Sequence, residues 1–165
     1  QTFCKRIVCF QLFINRSWRQ TLNTITTENT EIFGGIGVGI FNLTKLGSSP
    51  EVFTEISKSL LLAGYSIRFN AVGDSMLPLL RDGDLVIVEA IKTDRLRNGE
   101  IVYYQNDQGH CLLHRIIRQR TITGRLELQV QADNNLKPDG WISVEQVMGR
   151  LNRFCRNGEW VCLES

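Results

Sequence analysis

From Tyr65 onward, short apolar runs alternate with turn residues, and this punctuation constrains the fold more than any other feature of the chain. The turns read Asp82-Gly83-Asp84, Asn98-Gly99, Asp107-Gln108-Gly109, Thr123-Gly124, Asp139-Gly140 and Asn157-Gly158. Asn, Asp and Gly tolerate the positive φ that tight reversals demand, so several of these mark hairpins. Between them lie Ile67 to Val72, Leu85 to Ile91, Ile101 to Tyr104, Leu112 to Ile117, Leu126 to Val130, Val147 to Leu151 and Trp160 to Leu163. Alternation or β-branched content marks each as a strand. The pattern predicts a mainly β fold of largely antiparallel, coiled sheets forming a partly open barrel.

One helix precedes the strands. Ser48 or Ser49 suits its cap, Pro50 its first turn and Gly64 its end, predicting a helix from Pro50 to about Ala63. Val52, Phe53, Ile56 and Leu60 give it one apolar face. Upstream the texture is different. Residues 1–46 hold a Thr/Asn-rich patch from Thr21 to Thr30 and the glycine-rich stretch Gly34 to Gly39. That stretch reads GGIGVG, which fits the phosphate-binding GxGxxG pattern poorly and has no βαβ unit after it. The expected organisation is therefore a poorly structured or peripheral segment over 1–46, followed by one domain with a leading helix over 47–165.

Composition narrows the partners. With 42% apolar residues among 165, the chain can build a core. Nineteen basic and 17 acidic side chains leave a net charge of +2, which does not point to nucleic acid. Arg115, Arg118, Arg120 and Arg125 read as a solvated strand-and-turn face. Cys4, Cys9, Cys111, Cys155 and Cys162 form no CxxC pair, so no zinc or other metal site is expected, and reduced thiols are the simpler reading. No stretch reaches the ~20 apolar residues of a membrane-spanning helix. The chain begins at Gln1, so an upstream anchor stays an open alternative, as does the compartment: cytoplasmic or peripherally membrane-associated.

Three short segments carry chemistry. Gly73-Asp74-Ser75-Met76-Leu77-Pro78 follows a strand and presents a serine on a constrained turn, as a nucleophile requires. By itself this string describes a turn serine beside a core methionine equally well. In Cys111-Leu112-Leu113-His114-Arg115-Ile116-Ile117, His114 sits among strand residues, and a histidine titrates near neutrality with little tuning. The chain's other histidine, His110, lies beside a turn and is expected to face solvent. Gln131-Ala132-Asp133-Asn134-Asn135, with Asp139 close behind, offers a carboxylate to the far ring nitrogen of His114. Either Asp133 or Asp139 suits that role.

The order of these segments resembles the signal peptidase I-like and LexA-like serine peptidase superfamily over roughly Ile67 to Leu151. The shared pattern is the serine box, a Gly-Asp-hydrophobic strand, Asn-Gly-Glu-Ile-Val, His-Arg-hydrophobic, Asp-Asn-Asn and Val-Met-Gly-Arg. LexA-type repressors and bacterial leader peptidases use a lysine base. Here the residue before Arg115 is histidine, and no lysine lies between Lys92 and Lys137, which is similar to the Ser/His variant of archaeal and endoplasmic-reticulum signal peptidases. Gly73 stands where some relatives carry a hydroxyl, Asp74 adds a charge beside the serine, and Ala132 replaces a glycine.

The resemblance implies a serine endopeptidase without cofactor, cleaving leader or signal-like peptide segments of a precursor. Ser75 would attack, His114 would act as base, Asp133 or Asp139 would orient it, and Met76 and Pro78 would touch the substrate. Two other readings keep the same fold: a catalytically silent peptide-binding module and, ranked last, a self-cleaving repressor-type regulatory domain.

Overall fold

The computed structural model describes residues 30–31, 39–44 and 49–163. Most of the Thr/Asn-rich patch and of the glycine-rich stretch, with Cys4 and Cys9, lies outside the described residues.

The strands are β1 (Thr30–Glu31), β2 (Ile40–Asn42), β3 (Ser66–Asn70), β4 (Leu85–Glu89), β5 (Ile101–Gln105), β6 (Cys111–Ile122), β7 (Arg125–Gln131), β8 (Gly140–Ser143), β9 (Val147–Arg156) and β10 (Glu159–Cys162). Helix α1 (Pro50–Leu62) stands between β2 and β3, and single 3-10 turns occupy Thr93–Arg95 and Val144–Gln146. All ten strands join one open sheet in the order β1-β2-β3-β4-β9-β5-β6-β7-β8, with β10 paired to β9. Every pairing is antiparallel except β2 with β3. Among the described residues the fold is mainly β with one helix, as expected from the turns, and the sheet does not close into a barrel.

The helix forms where its caps allow. Ser49 accepts from the Val52 N–H, Pro50 fills the first turn, and Gly64 takes φ +85 past the end. The Gly64 N–H then bonds Leu61 O and the Tyr65 N–H bonds Leu60 O, satisfying two carbonyls the helix would otherwise leave open. Ile56, Leu60 and Leu61 turn inward onto the sheet.

Two apolar clusters flank the strands, and β5 explains them. Its run Ile-Val-Tyr-Tyr is buried on both faces, as a central strand's must be. Ile101 and Tyr103 join Ile67, Val86, Val88 and Leu151 under α1. Val102 and Tyr104 join Ile116, Leu128, Val130 and Ile142 on the other side. Leu43, just past β2, is buried in the first cluster.

Turn chemistry sets the strand lengths. Thr123 and Gly124 both take positive φ, as do Asn157 and Gly158, giving two-residue reversals. The first lets β6 and β7 pair as far as Ile122 and Arg125, well beyond the expected strand ends. Arg120 explains the extension: its guanidinium meets Glu127 across the pair and lies 3.8 Å over the Trp141 ring. β8, whose first residue Gly140 reads in the sequence as part of a turn, completes the edge beside β7. Where β9 crosses β4 closely, Gly149 is required, since a Cβ there would meet Glu89 O at 2.7 Å.

A candidate serine peptidase site

Ser75 stands on a fourteen-residue excursion between β3 and β4 whose base is sewn shut. The Ala71 N–H bonds Asp84 O at 2.8 Å and the Gly83 N–H bonds Ala71 O at 2.9 Å. Gly73, at φ +88, donates its N–H to Asp82 Oδ1, fixing the approach to the serine. Met76 and Leu80 are buried and pin the turn to the first cluster. Arg156 of β9 reaches Leu79 O and grips Asp84, whose carboxyl it holds below the usual carboxylate range. With its neighbours so tied, Ser75 itself is left exposed. Among the described residues its N–H meets no acceptor. A free backbone N–H beside a nucleophile is the donor geometry an oxyanion needs.

His114 lies opposite Val102 on β6 and is only 6% exposed. Its Nδ1 is 2.9 Å from Asp139 Oδ2 and 3.2 Å from the Tyr104 hydroxyl. Asp139 is held in turn: Oδ2 accepts from the Ala132 N–H at 2.7 Å and Oδ1 from Asn135 Nδ2 at 3.0 Å. A carboxylate at Nδ1 favours the tautomer with the proton on Nδ1, so the lone pair resides on Nε2. Nε2 is buried and has no hydrogen-bond partner among the described residues. Burial pushes the His114 pKa below its ordinary value, and the nearby Asp139 and Asp133 charges only partly oppose it. Tyr104 is pushed up to about 12 by burial and by Asp139, so it stays a neutral phenol.

The alternatives left open in the sequence now separate by geometry. Asp139 meets the histidine. Asp133 instead forms a two-pronged pair with Arg115, at 2.8 Å and 2.6 Å, and Arg115 also holds Gly99 O. Arg115 is thus half-buried and engaged at its base, whereas Arg118, Arg120 and Arg125 are exposed as expected.

The loop 132–135 also reaches the serine turn. The Asn134 N–H donates to Ser75 O at 2.9 Å, Asn134 Nδ2 to Asp74 O at 3.3 Å, and the Asp133 N–H to Met76 Sδ at 3.5 Å. One loop therefore touches both the serine turn and the histidine's carboxylate. Neither Tyr104 nor Asn134 was singled out from sequence. The Asp-Asn-Asn string was the available signal for Asn134, and register alone puts Tyr104 beside His114. No hydrogen bond joins Ser75 to His114 among the described residues.

A groove of about 850 Å³ opens beside the serine, bordered by Ser75, Met76, Phe53, Phe69, His110 and Leu113. Pro78 is exposed and stands apart from this lining, after a cis Leu77–Pro78 bond. Among the described residues no helix is long and apolar enough to cross a membrane.

A family model described as Peptidase S24-like matches residues 32–150, more than two thirds of the chain, including Ser75, His114, Asp133 and Asp139. The chain belongs to the Peptidase S24-like family. That membership places it in the LexA and signal peptidase I-like superfamily and fits a serine peptidase or self-cleaving repressor fold. No curated protein matches the chain.

Proposed function

We propose that this Peptidase S24-like domain is a serine endopeptidase of the signal-peptidase type, with Ser75 as nucleophile, His114 as base and Asp139 as its orienting carboxylate. The observation that carries this reading is the state of His114: Nδ1 engaged by Asp139, Nε2 buried and without a hydrogen-bond partner among the described residues. A structural histidine satisfies both nitrogens; a general base keeps one lone pair for the reaction. Nε2 takes the Ser75 proton as Oγ attacks the scissile carbonyl, then gives it to the leaving amine. The Ser75 N–H stabilises the oxyanion. The groove takes an extended segment of a precursor, a leader or signal-like peptide, with Met76 in its wall. Asp133 acts at one remove, by holding Arg115 and the loop that carries Asn134.

Cleavage of a peptide library by purified protein, read by mass spectrometry beside Ser75→Ala and His114→Ala, tests the reading. It expects cleavage lost in both variants. Cleavage surviving in either sinks it. The missing Ser75–His114 hydrogen bond favours a second reading, a catalytically silent peptide-binding module. Peptide binding without cleavage by the wild type is its signature.

A further inference from the structure

Two groups face the same nitrogen of His114, and the proposed mechanism uses only one of them. Asp139 Oδ2 lies 2.9 Å from Nδ1, and the Tyr104 hydroxyl lies 3.2 Å from it. Strand register puts Tyr104 there. His114 pairs with Val102 on β5, and Tyr104, two residues on, shares the face of Val102. The phenol and imidazole rings therefore meet, 6.0 Å apart between centroids. Tyr104 is only 2% exposed and packs in the second apolar cluster with Val102 and Ile116, which holds the phenol in place. Asp133, the other carboxylate near the ring, is taken up by Arg115.

The two groups make opposite demands. A carboxylate only accepts, so Asp139 requires a proton on Nδ1. A phenol both donates and accepts, but Nδ1 is the one hydrogen-bond partner of the Tyr104 hydroxyl among the described residues. Tyr104 keeps its own proton, since burial and Asp139 push its pKa up to about 12. With a proton on Nδ1, the Tyr104 O–H is left without an acceptor. With Nδ1 bare, the O–H is satisfied but the carboxylate faces a lone pair. That second state puts the imidazole proton on Nε2, where it blocks transfer from Ser75. A hydrogen bond to a charged acceptor is roughly twice as strong as a neutral one, so Asp139 prevails while it is ionised. Because an unsatisfied buried hydroxyl is costly, Tyr104 narrows the margin by which it does so.

We propose that Tyr104 is a positioning residue that competes with Asp139 for Nδ1, and so makes the reactive tautomer of His114 depend on the Asp139 charge. This rests on the peptidase reading above. Asp139→Asn isolates the charge from the geometry. The Ala132 N–H donates to Oδ2, which keeps an oxygen facing Nδ1 in the variant. The Asn135 side chain, now a donor to Oδ1, turns its amide oxygen toward the new NH2. Opposite a neutral oxygen, the Tyr104 O–H gains Nδ1.

The test reads the tautomer directly, by 15N NMR of histidine-labelled protein well above pH 6.5, where His114 is neutral. The chain has two histidines, and His110→Gln assigns the signals. Wild type should carry its proton on Nδ1, and Asp139→Asn should move the population toward Nε2. Adding Tyr104→Phe to Asp139→Asn should move the tautomer ratio back by about three- to tenfold, the share of one hydrogen bond. Peptide cleavage should follow: Tyr104→Phe raises kcat by about that factor in Asp139→Asn protein and by less in wild type. Because the NMR arm needs no turnover, a wild type that cleaves nothing defeats the peptidase reading while the tautomer ratio still decides the competition. The Asp139→Asn spectrum also stands without the tyrosine variant, whose fold is checked by circular dichroism. A proton that stays on Nδ1 in Asp139→Asn, or a ratio there that Tyr104→Phe does not move, would overturn the proposal. A fall in kcat on adding Tyr104→Phe to Asp139→Asn would do the same.

Discussion

The serine turn and the histidine strand reach their positions by opposite means. Residues 71–84 form no regular element, and Ser75 is exposed; its place is set by backbone bonds at Ala71 and Gly83, by Asp82 on Gly73, and by Arg156 outside. His114 sits mid-strand between two paired neighbours, and its place is set by burial and by Asp139. A nucleophile must be approached by substrate, so it is best held by groups that bond its neighbours and leave it open. A base benefits from exclusion of water, which keeps the imidazole neutral and ready. The loop 132–139 is the bridge, touching Ser75 through Asn134 and His114 through Asp139.

The largest effect that would break this contrast is at the two central residues. Ser75→Ala and His114→Ala should each lower kcat by about 10³-fold or more with the fold retained, measured by single-turnover cleavage and circular dichroism. Next come the two aspartates, which differ in kind. Asp139→Asn should lower kcat about 10²- to 10⁴-fold with little change in Tm, because an amide permits the wrong tautomer. Asp133→Asn should cost about 1–2 kcal/mol of stability through the half-buried Arg115 pair and affect kcat less. Equal kinetic losses in both would erase the distinction between orienting and supporting carboxylates.

That distinction was not legible in the sequence. The placement of Ser75 on an exposed turn and of His114 within a strand was, because Gly73 and Met76 flank the serine and apolar residues flank the histidine. So was α1, through Ser49, Pro50 and Gly64. The partner of His114 depends on register: which of two aspartates six residues apart reaches a ring on a neighbouring strand is decided by how β6 pairs with β7. Arg115 looked like a solvated face for the same reason, since its carboxylate lies 18 residues away. β8 escaped notice because Asp139-Gly140 reads as a turn, and only pairing with β7 makes Gly140 the start of a strand.

Smaller effects sharpen the comparison. Asn134→Ala removes the side-chain bond to Asp74 O but keeps the backbone bond to Ser75, so a few-fold loss in kcat/KM is expected, with Tm nearly unchanged. A loss as large as that of Asp139→Asn would mean that the bridge, rather than the base, limits the reaction. The smallest effect is on stability. Because the folded His114 pKa lies below its ordinary 6.5, the unfolded chain binds the proton more readily. This contribution is fully present above pH 6.5 and is lost as pH falls from there toward the folded pKa. The fall in Tm between pH 7 and pH 5 should therefore be smaller in His114→Gln than in wild type.

The central claim, that a buried neutral histidine is the base for Ser75, is tested most directly by the pH dependence of kcat/KM. The lowered His114 pKa places the acidic limb of the profile below pH 6.5, with a plateau through neutrality, and His114→Ala removes the activity that defines it. An activity that rises only above pH 8, or a limb that persists in His114→Ala, would contradict the account and assign the base to another group.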